Sequence, residues 1–287
     1  RECANAVKLA VKEVNDKGGI LVGEEKRPIK LVVVDTRGGE PGVPVHDALM
    51  AYERCIMEEK PDVIVMGSFR SEVNMAVYDL IAKYKIPHLT LVGSSPKLRE
   101  KIASDREKYK YCFRLCLESK DQAFRELKVL DMLRTDYGIN KVYGIGADLL
   151  WAKGYVGAIL GYCEKTGWEI LGQDWYASGT TDFSPALAKA KEGGAQLIEF
   201  GWDQSTGAGI FLKQLKGMEV PALPMGIMMG ANSPKAWETF GPEVEYTIHG
   251  CHPFAGSIPI EKFPPSVKFC DAFKAEYGRL PNETEGT

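Results

Sequence analysis

The stretch Pro61-Asp62-Val63-Ile64-Val65-Met66-Gly67-Ser68-Phe69-Arg70-Ser71, continuing through Ile86-Pro87-His88-Leu89-Thr90-Leu91, decides the fold. The apolar run at 63–66 lies between Pro61-Asp62 and Gly67, which reads as a short buried strand. Residues 71–84 then follow a helical pattern, and 86–91 form a second apolar run. Strand, helix, strand in this spacing gives two parallel strands joined by a crossover helix, the unit of an α/β fold.

Working outward, the same rhythm recurs. Ala4, Val7, Ala10, Val11 and Val14 step by three and four, which predicts a helix ending at Gly18-Gly19. A strand is expected over 29–35, where Ile29-Lys30-Leu31-Val32-Val33-Val34 is the longest such run. A helix is expected over 45–59, with Val45, Leu49, Tyr52 and Ile56 on one face. The rhythm breaks after a charged linker at 101–110, where Tyr111-Cys112-Phe113-Arg114-Leu115 reads as extended. It restarts with a helix near 121–133. Strands at 141–146, 169–175, 195–200 and 222–225 follow, with helices at 151–166, 182–191, 205–215 and 233–240. A second extended piece lies at 246–251, before a helix at 264–277. We read two Rossmann-like α/β lobes with mostly parallel sheets. The first comprises 1–117 plus 252–287 and the second 118–251, joined by extended hinge segments near 115–119 and 250–254.

Composition bounds the function. The 287 residues are 45% hydrophobic and 26% charged, which fits an ordered globular chain. Thirty-six basic against 39 acidic side chains give a net charge of −3, without the basic excess of a general nucleic-acid binder. No apolar run approaches the ~20 residues of a membrane-spanning helix. The chain begins Arg1-Glu2-Cys3 rather than with Met, so it reads as a processed or trimmed product whose lack of a signal peptide says nothing of export. Seven cysteines, an odd count with no Cys-x-x-Cys, suggest small buried hydrophobes rather than a metal or redox motif. Cys116 and Cys251 fall on the two linkers, where a bridge is geometrically possible, but a hinge that must flex gains little from one.

The usual chemical signatures are missing. There is no phosphate-binding Gly-x-x-x-x-Gly-Lys-Ser/Thr, and Gly144-Ile145-Gly146 lacks a third glycine at Leu149. Gly207-Ala208-Gly209 lies inside a helical pattern and reads as a close-packing patch. No Gly-x-Ser-x-Gly elbow occurs. His249 and Cys251 would face one way on an extended segment and His252 the other, so they read as linker residues and not as a metal site. No cofactor is expected.

In open α/β sheets ligands sit outside the carboxyl ends of the strands. Those ends carry Phe69, Arg70 and Ser71, then Val92, Gly93 and Ser94, in the first lobe. In the second they carry Trp151, Trp202 and Met228. The first set offers hydroxyls and N–H groups at helix starts, which suit an anion. The second is aromatic and apolar. Together they suggest a cleft for a small molecule with a charged head and an apolar body.

With these elements in place, the chain resembles the type I periplasmic binding proteins, and more narrowly the leucine/isoleucine/valine-binding group of ABC importers. The marks are residues 10–20, 61–67, 86–90, 111–114, Thr181-Asp182-Phe183 and 273–281, whose order and spacing count together. In that family a strand and a ligand-touching loop precede the first helix, and further helices follow the last. The resemblance therefore implies an incomplete copy of a longer chain. It also implies that Ser71 meets a ligand carboxylate, that Val92 and Ser94 grip the amino-acid head, and that Trp151 and Trp202 stand at or near tyrosine positions. Branched-chain binders often hold the ligand ammonium with a Glu after the strand at 222–225. Gly226-Ile227-Met228-Met229-Gly230 has no acid there, and Arg70 adds a cation beside Ser71. The expected ligand is thus a small carboxylate or amino acid, with weak selection on the amine.

The resemblance implies an extracytoplasmic solute-binding protein, periplasmic or extracellular or lipid-anchored. Its partner would be the membrane permease of an ABC importer, with no nucleic acid and no catalysis. A ligand-sensing regulator or receptor module of the same fold is the alternative, and an unrecognised α/β enzyme a lesser one.

Overall fold

Helix α1 (Glu2–Asp16) leads into an antiparallel hairpin, β1 (Ile20–Val22) and β2 (Glu25–Arg27), which periodicity did not suggest because each arm is three residues long and exposed. The structure is a computed structural model and describes all residues except 1, 41, 232–234, 251–258, 283–284 and 286–287.

Residues 29–35, expected as a strand, are irregular. Asn15 treats Ile29 as a strand neighbour would: its Oδ1 accepts the Ile29 N–H at 2.7 Å and its Nδ2 donates to the Ile29 carbonyl at 3.0 Å. Beyond Ile29, no described strand lies alongside to complete a ladder. The run has strand composition without strand pairing, and a strand needs its backbone groups paired.

The expected alternation then appears: α2 (Val45–Glu59), β3 (Ile64–Met66), α3 (Ser71–Tyr84), β4 (His88–Thr90), α4 (Pro96–Ser104) and β5 (Cys112–Arg114). The strands pair in parallel in the order β3-β4-β5. Helix α4 takes up part of the stretch read as a charged linker. It starts at Pro96 because Ser95 Oγ accepts the Lys97 N–H at 3.3 Å, a helix cap. Tyr52 and Ile56 from α2, Val77, Tyr78 and Ile81 from α3, and Leu98 from α4 fill this lobe's core.

Residues 115–118 carry the chain across to the second lobe. The Ser94 carbonyl accepts both the Ser119 N–H at 2.8 Å and the Ser119 hydroxyl at 3.0 Å, which stitches the crossing to the first lobe. Cys116 is a free thiol there, and Cys251 lies outside the described residues. Helix α5 (Ser119–Tyr137) opens the second lobe, with Asp121 Oδ2 accepting the Glu118 N–H at 3.0 Å.

The order β6 (Lys141–Ala147), α6 (Leu150–Lys165), β7 (Glu169–Tyr176), α7 (Ser184–Glu192), β8 (Leu197–Trp202), α8 (Ser205–Gly217), β9 (Leu223–Met228), α9 (Ala236–Phe240) and β10 (Ile248–His249) builds a five-stranded parallel sheet, β10-β9-β8-β6-β7. Adjacent residues of β8 face opposite ways. Phe200 stacks on Phe211 of α8 at 3.8 Å, and Gly201 sits against Val156, Tyr155 and Ala152 of α6. Helices therefore cover both faces. The second hinge segment, expected near 250–254, lies outside the described residues apart from Gly250. Finally α10 (Pro264–Tyr277) returns to α1, where Lys12 pairs with Glu276 and the Tyr277 hydroxyl donates to the Asn5 carbonyl at 2.9 Å.

Candidate functional site

From β6 the chain goes to β7 on one side and then to β8 on the other. The carboxyl ends of β6 and β8 therefore flank the switch point where α/β sheets hold ligands. Leu150 and Trp151, at the start of α6, follow the first end, and Asp203 follows the second.

Across from them lie the strand ends of the first lobe. Met66, at φ 87°, is a non-glycine in the left-handed region, so the turn after β3 holds local backbone strain. Asn74 of α3 fixes that turn. Its Oδ1 accepts the Ser68 N–H at 2.8 Å, and its Nδ2 donates to the carbonyls of Ser68 at 2.7 Å and Val92 at 3.3 Å. Ser71 Oγ accepts the Ser95 N–H at 3.2 Å. Two strand-end loops, carrying Phe69, Arg70, Ser71 and Val92, Gly93, Ser94, are thereby tied together. Phe69 is exposed, Ser71 and Val92 are buried, and Arg70 is half-buried, with Nη1 donating to the Val43 carbonyl at 2.8 Å.

In the second lobe, Trp151 lies against Tyr155 with ring centres 6.3 Å apart. Trp202 and Met228 are fully buried in that lobe's core. The Trp202 indole stacks on Phe200 at 5.7 Å and meets Phe183 edge-on at 5.0 Å. Gly207 leaves room for it: a Cβ there would stand 2.0 Å from Trp202 Nε1, so the glycine patch at 207–209 is a close approach.

The lobes meet through a residue that the sequence reading passed over. Glu72, in the first turn of α3, accepts the backbone N–H of Leu150 on Oε1 at 2.7 Å. A carboxylate at the N-terminus of α6 meets both a free N–H and the positive end of the helix dipole. Asp203 stands close enough to feel the charges of Glu72 and Arg70 from the other lobe. Burial, with the Glu72 charge adding to it, pushes its carboxyl up to about 6. Four polar atoms of these strand-end loops and helix starts are buried without a hydrogen-bond partner among the described residues: Ser68 Oγ, which lies against Gly38 of the first lobe, Arg70 Nε, Glu72 Oε2 and Asp203 Oδ1. Buried polar groups are normally paired, so each calls for an explanation.

The sequence reading finds no acid after the strand at 222–225, whereas the structure brings Glu72 to the seam and buries Asp203 after β8. An acid in a first helical turn is ordinarily a partner of its own helix, which hides Glu72. Asp203 had a readable signal, as the acid directly after a strand at the sheet's switch point.

Two α/β lobes meeting over a polar seam at their strand ends define a ligand-capturing class, the type I periplasmic binding fold. The chain belongs to the periplasmic binding protein family, whose profile matches residues 1–286. Solved structures share its architecture. A type 1 periplasmic binding protein from Bordetella pertussis aligns with TM-score 0.79 at 19% identity, covering 99% of this chain and 74% of that one. A branched-chain amino acid transporter substrate-binding protein from Streptococcus pneumoniae, solved with isoleucine, gives 0.74 at 19%, covering 98% and 74%. An ABC-transporter solute-binding protein from Rhodopseudomonas palustris, solved with 3,4-dihydroxybenzoic acid, gives 0.72 at 16%, covering 99% and 71%. At these identities the likeness is one of fold. No curated protein matches the sequence. Among the described residues, no helix is long and apolar enough to cross a membrane.

Proposed function

We propose that this chain is an extracytoplasmic solute-binding protein that captures a small carboxylate or amino acid between its lobes and presents it to the membrane permease of an ABC importer. The carrying observation is the seam of buried, unpartnered polar atoms contributed by both lobes. Capture proceeds by hinge closure and involves no bond chemistry. The first lobe, residues 1–117 plus 252–287, supplies Phe69, Arg70, Ser71, Val92, Gly93 and Ser94. The second, 118–251, supplies Trp151, while Trp202 and Met228 are buried in its core. The relatives support this class of ligand, since one was solved with isoleucine and another with a dihydroxybenzoic acid.

The test is a thermal-shift and native mass spectrometry screen against amino acids and against aliphatic and aromatic acids. A true ligand at 100 times its Kd stabilises the protein by about 2.7 kcal/mol, a readily measured rise. Absence of any stabilising member, or turnover of one, would refute the reading.

A further inference from the structure

We propose that Asn74 is the positioning residue of the binding site: its amide clips the two strand-end loops of the first lobe together and, through the loop at 92–95, ties them to the crossing that leads to the second lobe. This rests on the capture reading above and names what holds that same site in shape. Asn74 is fully buried on α3, beside the equally buried Val73, Val77 and Ile81. A polar side chain in such a place is costly unless its hydrogen bonds are met. Here both hydrogens of Nδ2 are used, on the carbonyls of Ser68 and Val92, and Oδ1 accepts the Ser68 N–H. One side chain thus spans the loop after β3 and the loop after β4. Gly93, at φ +95°, permits the approach, since a Cβ there would stand 2.5 Å from Nδ2.

Each residue of the 92–95 loop is committed through its backbone. The Val92 carbonyl accepts from Asn74 at 3.3 Å, and the Ser95 N–H donates to Ser71 Oγ at 3.2 Å, both on α3. Between them, the Gly93 carbonyl accepts the Cys116 thiol at 3.4 Å, and the Ser94 carbonyl accepts the Ser119 N–H at 2.8 Å and the Ser119 hydroxyl at 3.0 Å. The outer two residues therefore hold the loop to the first lobe, and the inner two hold it to the crossing and the start of α5. The loop belongs to the site and to the crossing at once. A shift of the crossing carries Ser94 with it, and a ligand seated on Ser94 restrains the crossing. Asn74 sets where this shared loop stands relative to Ser68 and its neighbours, and a wall fixed in advance lowers the ordering cost of binding. A second buried set, Tyr78, Thr90 and His88, is linked through the Thr90 hydroxyl in the same core, and its side-chain bonds involve neither loop.

The test compares Asn74→Ala and Asn74→Asp with Thr90→Val, which breaks the Tyr78–Thr90–His88 bonds and so controls for a loss of stability alone. Titration calorimetry on the full chain uses the best ligand of the screen, at a temperature where circular dichroism shows each variant folded. Both Asn74 variants should bind about tenfold or more weakly, because the carbonyls of the two loops lose their common donor. Thr90→Val should melt lower yet bind within about twofold of the parent. Amide hydrogen exchange gives a readout that needs no ligand. In the Asn74 variants the protection of the Ser95 and Ser119 amides should fall about tenfold, although neither is bonded to Asn74, whereas in Thr90→Val both should stay within about threefold. On the parent, the Ser68, Ser95 and Ser119 amides should open as one unit and lose protection in parallel as urea is raised, which decides the matter even if the Asn74 variants fail to fold. Parental affinity in a folded Asn74 variant overturns the proposal and leaves capture intact. An equal loss of affinity in Thr90→Val also overturns it, since Asn74 would then act on stability only, and so does a Ser119 amide that opens independently of Ser68. Absence of binding by every member of the screen overturns the capture reading and the positioning role with it.

Discussion

The backbone N–H of Leu150 donates to Glu72 Oε1 at 2.7 Å, and this bond runs from α6 in the second lobe to α3 in the first. It is a contact between the two lobes, so on the capture reading it helps to hold them together over a ligand. A hydrogen bond to a charged group contributes ~1.5–3 kcal/mol. Glu72→Ala should therefore weaken the best ligand of the screen by roughly 10-fold or more. Titration calorimetry checks this, and an affinity within twofold of the parent would remove Glu72 from the closing contact.

A second relationship makes stability depend on pH. The Tyr155 hydroxyl donates to Glu126 Oε1 at 2.5 Å inside the second lobe, and Glu199 of β8 is buried beside them. Burial pushes Glu126 up to about 7, with Tyr155 acting against it, and holds Glu199 well above the usual carboxylate range, with the Glu126 charge adding to burial. Both carboxyls bind protons more tightly folded than unfolded. Their contribution is complete below the unfolded value near 4.5 and is lost as pH rises through the folded value. The melting temperature should fall between pH 5 and pH 8, and Glu199→Gln should flatten that fall by roughly 2 °C or more. A flat parent profile, or an unchanged slope in the variant, would count against it.

Much of this architecture is legible in the sequence because most strands of the second lobe are rich in apolar residues and alternate with helical patterns. Leu197 to Trp202 is apolar apart from Glu199 and Gly201, and the structure makes it a central strand. The run at 29–35 has the same composition and forms no strand, because pairing depends on a neighbour that composition does not report. Glu72 was hidden for a related reason: its partner is the start of a helix 78 residues later in the chain, a distance only the fold closes. Ser71 and Ser94 stand at or near helix starts, where a serine hydroxyl can cap a helix. The structure instead gives the cap of α4 to Ser95, uses Ser71 to receive the Ser95 N–H, and uses the Ser94 carbonyl to anchor the crossing at Ser119.

Gly226 admits no side chain. Its φ is +129°, and a Cβ there would stand 2.3 Å from the Phe200 carbonyl and 2.7 Å from Glu199 Oε1. Gly226→Ala should cost roughly 2–4 kcal/mol from overpacking and backbone strain combined. Urea melts measure it, and a loss below about 0.5 kcal/mol, the ordinary surface-substitution range, would mean that β9 relaxes away from β8.

The cysteines report on packing. Burial pushes the thiols of Cys112 and Cys163 up to about 12, far from the thiolate that alkylation needs. Iodoacetamide at pH 8 should leave both unmodified in the folded protein and label them after denaturation, as read by peptide mass mapping. Labelling at the denatured rate without denaturant would contradict the packing around β5 and α6.

Arg70 offers a test of how a ligand carboxylate is held. Its Nη1 is committed to the Val43 carbonyl at 2.8 Å, which fixes the guanidinium and leaves Nε for an incoming acceptor. If a carboxylate occupies that position, Arg70→Ala should weaken an amino acid and its des-amino acid equally, by ~1.5–3 kcal/mol each. Arg70→Lys should restore little, since a single ammonium on a flexible stem cannot hold the Val43 carbonyl and present a second, fixed donor to the ligand. Calorimetry on the two variants with one matched pair gives four affinities, and their pattern shows whether Arg70 holds the carboxylate. Loss of the amino acid alone on Arg70→Ala would mean that the carboxylate is held elsewhere.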